Sequence, residues 1–492
     1  MYIFDTQLAI HLLDENILHK SLKYLAENIL HVPKEQIVKY DDVNKNDWSS
    51  FADYGMNDAI WTFQLYQKFA PEIEKQNLHH LFWEIEMPFQ WALVELAING
   101  MSVDVPLSEQ MLSDVRHLYY SIEKELLDFC GGTWVLKYHK KSGEIECKPS
   151  INFNSSDQVI PIVESLGFEI TERTEKGAKS FGKKTKQRLA GKHKFIDLLI
   201  RYGKAEKLIS SFLEPFSSFV DSDSKIRSSF HNCVAVTGRL SSSEPNVEQL
   251  PKHNDLANIR NLYIADTGCV FVVADYKGQE LRVLAEETQD PALKRAFAEN
   301  IDIHQVTADK VGRSRDDAKT VNFGIIYGKE AYGFSKDFNI SEEEAQKFID
   351  GYFKQFPTVQ HRIEKCRQQV ARYGYVTNIS GRKRRFPGFK QMNKWEQKRC
   401  FRQAFNFLIQ AYSADMVKIA AAKVIQCTLL KIVNLVHDEI VVMCRKCDVD
   451  KVVPYVRECM TNAVKMSVPL EVEISVVERY GEVKGYAFLD NR

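Results

Sequence analysis

The chain has 492 residues, with 66 Lys and Arg against 66 Asp and Glu, so its formal net charge at pH 7 is zero. That length permits several domains with large cores, and the neutral balance excludes polyanion binding through a global basic field. Ten cysteines lie scattered without a secreted-framework spacing, there is no signal-peptide pattern, and no apolar run approaches the ~18 residues of a membrane span. The expectation is free thiols, a reducing compartment, a cytoplasmic protein and no membrane partner.

In chain order, residues 1–80 carry mostly helical patterns, as at 22–30 and 58–69. A long apolar-periodic helix is predicted over 84–99, ended by Asn99-Gly100, and another over 107–129. Residues 131–154 read as a basic hairpin with Lys137, His139, Lys140 and Lys141. It is an exposed loop or a DNA contact. A helical pair follows, then a glycine–lysine segment from Lys176 to Lys194, then a helix over 195–212. The lysine run suits a solvated loop or a phosphate-tracking surface. Strand patterns appear at 226–236 and 270–274. Residues 296–404 are helical again, with Ser341-Glu-Glu-Glu as a capping signal and Gly381-Arg-Lys-Arg-Arg as a basic turn. Strands return at 432–436, 440–443 and 470–477. The pattern is α+β: a sheet discontinuous in sequence, with a helical insertion between its halves. Cys444-Arg-Lys-Cys447 is a lone CxxC and, without a second pair, does not predict zinc.

Three segments carry chemistry. In Arg315-Asp-Asp-Ala-Lys319-Thr-Val-Asn-Phe323-Gly-Ile-Ile-Tyr327 the four distinctive side chains recur every fourth residue. Each such step overshoots a turn by only ~40°, so they form one slanting stripe roughly 18 Å long. Two cations suit polyphosphate and two rings suit a base or sugar. The same spacing also fits solvated cations beside core aromatics. Val-Phe-Val-Val-Ala-Asp275 reads as a buried strand delivering a carboxylate at its end. In Leu-Val-His437-Asp438-Glu439-Ile-Val-Val, acids interrupt an apolar strand. Buried acids are normally paired or bind metal.

Together these segments resemble family A DNA polymerases, the bacterial DNA polymerase I class. Asp275 to Arg282 is similar to the family's first palm motif, Arg315 to Gly328 to its fingers-helix motif, and His437-Asp438-Glu439 to its second palm motif. Thr237-Gly-Arg239-Leu-Ser-Ser with Pro245-Asn246 resembles the primer-template segment. Arg402, Asn406 and Gln410 fall at the spacing of its template-contacting helix. The resemblance covers nearly the whole chain. It implies a right-hand fold, with an antiparallel β palm and helical fingers and thumb. It divides the chain into a partial exonuclease-like region (1–80), thumb (81–225), palm (226–295), fingers (296–404) and the second part of the palm (405–492).

The implied reaction is template-directed deoxynucleotidyl transfer from dNTP to a primer 3′ hydroxyl. Two Mg²⁺ ions, with Mn²⁺ as the alternative, are implied at Asp275, Asp438 and the Tyr276 carbonyl. Arg315, Lys319 and His304 are implied phosphate contacts, with Phe323 near the sugar, Tyr327 near the base and Gln279 nearby. Glu280, hydrogen-bonded to Tyr327, is expected where a ribose 2′ hydroxyl would project. Arg239 and Gln410 would check the primer-end pair through the minor groove. Asn246, Arg402, Asn406, His437 and Glu439 would contact primer-template DNA. Asp275-Tyr-Lys-Gly-Gln-Glu280 departs from the usual bacterial Asp-Tyr-Ser-Gln-Ile-Glu. That glycine, like the basic hairpin, is similar to phage members, so a phage or prophage enzyme is expected.

Single-subunit phage RNA polymerases share the palm aspartates and the Lys/Tyr helix, but carry serine where this chain has Glu439. A non-catalytic DNA-binding relative is a second alternative. Asp5 and the Tyr54-Gly-Met-Asn-Asp58 segment resemble the second and third motifs of the family's 3′–5′ exonuclease. The Asp-x-Glu strand that completes that site precedes the position of Asp5 and is not in this sequence. The expectation is a chain without proofreading of its own, the C-terminal piece of a split or truncated polymerase, with a separately encoded exonuclease half docking on residues 1–80. The alternative is that Asp5 is a helix cap and Asp58 a surface acid.

Overall fold

The computed structural model describes residues 3–44, 46–138, 145–174, 176–251 and 255–482. A four-stranded antiparallel sheet sits at its centre, in the order Leu430–Val436, Glu439–Arg445, Cys269–Tyr276, Val472–Val477. Side chains alternate across a strand. On Cys269–Tyr276, Val270, Val272, Ala274 and Tyr276 therefore enter one apolar core, while Phe271 and Val273 enter a second with Tyr263 and Tyr480. Burial on both faces explains the unbroken apolar run before Asp275.

The first core joins the sheet to the helical insertion. Helix Lys394–Val424 supplies Phe407, Leu408, Ala411 and Met416 to it, and Arg315–Ile326 supplies Val321, Ile325 and Ile326. The long helix opens on a capping box, Asn393 with Glu396, which satisfies donors at both positions. A third core lies within 122–202 and a fourth within 8–87. The hairpin expected over 131–154 is present as Trp134–Tyr138 paired with Ile145–Pro149. His139, Lys140 and Lys141 lie outside the described residues.

Three expectations need correction. Only Lys225–Ile226 and Ser229–His231 are strands within 226–236. The Asn232 amide donates to buried Glu86 at 2.6 Å, which draws the chain away from pairing before it turns at Gly238. The helical pair after the hairpin is a single helix, Ser156–Ser165; Lys183–Leu189 forms inside the lysine segment instead. There Lys179 pairs with Glu164 and Arg188 with Glu172, so part of that charge run is locally neutralised. Finally, of the basic turn expected at 381–385 only Gly381 closes a turn, on the Asn378 carbonyl, and Lys383–Arg385 is a strand. It belongs to a hairpin, Tyr375–Thr377 with Lys383–Arg385, whose charges point inward.

That hairpin ties the N-terminal helices to the long helix Lys394–Val424. Arg384 and Arg385 meet buried Glu15, and Lys383 Nζ donates to the Gln76 carbonyl at 2.9 Å. Arg382 is buried between Glu86, which precedes helix Met87–Asn99, and Asp415 of the long helix. Lys418 Nζ also reaches Glu86, at 2.8 Å. Burial pushes the Glu86 carboxyl up, but Lys418 and Arg382 outweigh it and leave it at about 2. A cluster with this much unscreened charge tolerates no missing member. Glu86→Ala leaves two buried cations short of charge and should cost roughly 3–5 kcal/mol in urea unfolding. Glu299→Ala, at the exposed Arg295 pair, should leave the midpoint unchanged. Equal midpoints for the two variants would contradict this account.

Candidate active site

The pairing of the sheet assembles the site. Glu439 lies opposite Asp275 and Ile440 opposite Ala274. The tight turn His437-Asp438 therefore falls at the end of the Asp275 strand, where the Tyr276 N–H donates to the Asp438 carbonyl at 3.3 Å. His437 has φ +57°, a left-handed conformation uncommon for a non-glycine residue and often found at functional turns. Asp275 shares the face of Phe271 and Val273, half-buried beyond that core. Glu439 is buried: Tyr480 donates to it, and Arg260 lies 3.7 Å away. It is a strand-core acid, on the side of Tyr480 rather than the cavity, which corrects its expected place at the DNA.

Beside the turn opens a cavity of about 530 Å³. Asp438, His437 and Glu248 line it, and so does the stripe helix through Lys319, Phe323 and Tyr327. Ser314 caps that helix by accepting from Asp317 N at 3.1 Å, and Tyr327 is its C-cap residue. The rings of Phe323 and Tyr327 are near-parallel at 22°, with His304 6.0 Å from Phe323. His304 lines the cavity and is fixed by Asn322, whose amide meets Nδ1 at 2.9 Å. Burial lowers the His304 pKa, with Arg315 and Lys319 adding to the effect against Asp302. Arg315 stands outside the lining, its Nε donating to Asp302 at 2.7 Å.

The start of helix Gln279–Thr288 lines the same cavity. Gly278 takes φ +61° as its N-cap, which gives the departing motif a backbone reason for glycine. Gln279 is buried and donates to the Ser413 carbonyl at 3.1 Å. Glu280 is bound on both sides: Tyr327 donates to it at 3.1 Å, as expected, and Arg239 is ion-paired with it. Burial, then Glu280, pushes the Tyr327 phenol up to about 12, while Gln410 hydrogen-bonds the same side chain.

A second cavity of about 290 Å³ collects Arg402, Asn406, Thr237 and the far side of Tyr327. Arg402 packs on Gly328, where a Cβ would fall 2.7 Å from its Cγ. Arg384 and Arg399 also line this cavity and were not singled out from the sequence. Asn246 lies elsewhere, accepting from Ser242 at 3.1 Å. Glu248 and Lys418 of the first cavity were also missed. Glu248 stands two residues beyond Asn246, and that proximity was the available signal.

Tyr54 and Asp58 meet around Lys23, with their side chains hydrogen-bonded, while Asp5 serves as a helix cap. Asp5 caps Thr6–Leu13, accepting from Gln7 N at 2.8 Å and Leu8 N at 3.0 Å. Asp58 pairs with Lys23, whose ammonium lies 4.0 Å from the Tyr54 ring centre and 4.8 Å from that of Trp61. Among the described residues no group of three or more His, Cys, Asp or Glu could hold a metal.

Glu248 sets a pH dependence. Burial raises its pKa from 4.5 to about 7, against backbone donors at Ser242 and His437 and the charge of Arg239. The folded state therefore holds the proton more tightly than the unfolded state. Its contribution is fully present below 4.5 and is lost as pH rises through about 7. In EDTA, stability should fall across that window, and Glu248→Gln should flatten the slope. Identical pH profiles for the two proteins would rule this out.

Comparison with known proteins shows the family and the fold. The family described as DNA polymerase family A matches residues 135–482. A thermostable DNA polymerase I of Thermus filiformis is 33% identical over 442 residues, covering 87% of this chain and 51% of that protein. DNA polymerase I of Borreliella burgdorferi is 30% identical over 505 residues, covering 98% and 53%. The chain thus spans about half the length of these relatives. The solved POL domain of Pol1 from M. smegmatis, in complex with DNA primer-template and dNTP, superposes with a TM-score of 0.85 at 25% identity, covering 97% of this chain and 82% of that one. Among the described residues no helix is long and apolar enough to cross a membrane. With the family match extending over most of its length and the same fold throughout, the chain belongs to DNA polymerase family A.

Proposed function

We propose that the chain carries out template-directed DNA synthesis in a cytoplasmic setting, transferring deoxynucleotidyl groups from dNTP to a primer 3′ hydroxyl with release of pyrophosphate. One observation carries this reading. A single cavity is lined by Asp438, by the Lys319–Phe323–Tyr327 stripe and by Glu280, to which Tyr327 donates a hydrogen bond. Phosphoryl transfer requires placement and charge neutralisation more than covalent help.

Asp275, Asp438 and the Tyr276 carbonyl are an all-oxygen donor set with no His or Cys. That suits Mg²⁺, which keeps waters and shares substrate phosphates, and Mn²⁺ as the alternative. Bound there, a pair of such ions would supply charge neutralisation and activation of the attacking oxygen. The chain's own groups do the rest. Lys319 and Arg315 hold the phosphates and offset charge on the leaving group; Arg315 exchanges Asp302 for them. His304, kept neutral by burial, presents its ring to the same phosphates. Phe323 packs on the sugar and Tyr327 on the base. Glu280 leaves no room for a 2′ hydroxyl. Arg239 and Gln410 face the primer-end pair, His437 and Asn246 the primer strand, and Arg402 with Asn406 the template.

The N-terminal region supports one partner proposal. Helix Trp48–Lys75 buries Trp61, Leu65, Phe69 and Ile73, while Met56, Ile60 and Phe63 are exposed on its other side. Such a stripe suits a separately encoded exonuclease half. The Lys23 ammonium beside Asp58 takes the electrostatic place of a cation, so these residues alone would not degrade DNA.

Primer extension with labelled dNTP or rNTP, with and without Mg²⁺, tests the reading. Extension should require Mg²⁺ and favour dNTP; preference for rNTP would point to an RNA polymerase, and no extension to a non-catalytic relative. Asp275→Ala or Asp438→Ala should each lower the rate by at least ~10³ while DNA binding survives, since a lost metal clamp costs several kcal/mol at the transition state. Extension within tenfold of the unmodified protein would sink the assignment. The purified chain should leave a mismatched primer intact. Clear 3′–5′ degradation abolished by Asp58→Ala would show an active exonuclease.

A further inference from the structure

Arg382 lies outside the cavity and is 3% exposed. Its Nε donates to Asp415 Oδ1 at 3.1 Å, and its Nη2 reaches both Asp415 and Glu86. Asn378 completes the clamp. Its Oδ1 accepts from Arg382 N at 2.8 Å, and its Nδ2 donates to Asp415 Oδ2 at 3.1 Å. A guanidinium held on this many sides has one available orientation.

Its flat face rests against Gly238. A Cβ there would fall 2.7 Å from Arg382 Cζ and 2.9 Å from both Nε and Nη1. Gly238 also has φ +74°, so the position excludes side chains twice over. The next residue is Arg239, ion-paired with Glu280, and Glu280 accepts from Tyr327. Each link from Arg382 through Gly238, Arg239 and Glu280 to Tyr327 is a covalent bond or a direct contact. Of the two groups holding Glu280, Tyr327 terminates the stripe helix. Arg239 is anchored instead to a turn that Arg382 supports from beneath.

We infer that Arg382 is a positioning residue for sugar selection. It sets the height of the Thr237-Gly238-Arg239 turn and so fixes Arg239, which fixes Glu280 against a 2′ hydroxyl. The inference rests on the proposed polymerase function. A carboxylate excludes a hydroxyl only while its own position is defined, and a displacement near 1 Å is enough to matter. Lysine at 382 would keep the charge for Glu86 and Asp415 but offers no plane to Gly238. A residue serving only as a core ion pair would, when altered, weaken all nucleotides alike.

The test is kcat/KM for dCTP and for CTP at one template position, with primer-template Kd and thermal melting measured alongside. Wild type, Arg382→Lys and Asn378→Ala are compared. Asn378→Ala removes the backbone clamp but retains both ion pairs of Arg382, so it reports even where Arg382→Lys fails to fold. The dCTP-over-CTP preference should fall by about tenfold in Arg382→Lys and about threefold in Asn378→Ala, with primer-template Kd within about twofold of wild type, as expected for a displaced selecting group. Parallel losses for both nucleotides, with the preference unchanged in every variant that folds, would overturn the inference while leaving the polymerase reading intact. A wild-type chain that extends no primer would overturn that reading and the inference together.

Discussion

The placement of the two aspartates follows from one register. With Glu439 opposite Asp275, the two-residue turn before Glu439 must lie at the end of the neighbouring strand. A slip of one position would turn Asp275 to the other face of the sheet and exchange it with an apolar neighbour. Both faces of the strand are apolar, Val272 and Ala274 on one side and Phe271 and Val273 on the other, so a slip exchanges apolar for apolar along most of its length. What opposes it is Asp275, whose carboxylate would be driven into the core of Val272 and Ala274 without a partner.

The second constraint is the buried ion cluster of Glu86, Arg382, Asp415 and Lys418. It joins three regions far apart in sequence: the start of helix Met87–Asn99, the 375–385 hairpin and the long helix. Lys418 also lines the main cavity. Such clusters are weak sources of net stability, because desolvation cancels much of the attraction. Their effect is on geometry, since few alternative packings satisfy all members. The exposed ion pairs of the helical block add little by comparison.

The legible parts of the molecule were those with a period. The stripe at every fourth residue follows from the helical repeat and the strands around Asp275 and Asp438 from short unbroken apolar runs, and the structure places them on one helix and one sheet. Pairings set by distant residues were not legible. Gly381-Arg-Lys-Arg-Arg reads as a basic turn, and nothing local shows that Glu86, Glu15 and Asp415 await it. Lys23 gives no local sign that it meets Asp58. Glu248 looks like any loop acid until burial raises its pKa. Residues 226–236 have strand composition, but the pull of Glu86 on Asn232 overrides it.

The register-held aspartates, Asp275 and Asp438, are proposed to form one divalent-cation site at the strand ends, beside the nucleotide cavity that Asp438 lines and Asp275 does not. Mn²⁺ binding, followed by electron paramagnetic resonance in the presence of a dideoxy-terminated primer-template and the matching dNTP, tests it most directly. Two tightly held Mn²⁺ per ternary complex are expected, with loss of tight binding in both Asp275→Asn and Asp438→Asn. Unchanged stoichiometry and affinity in either variant would contradict it.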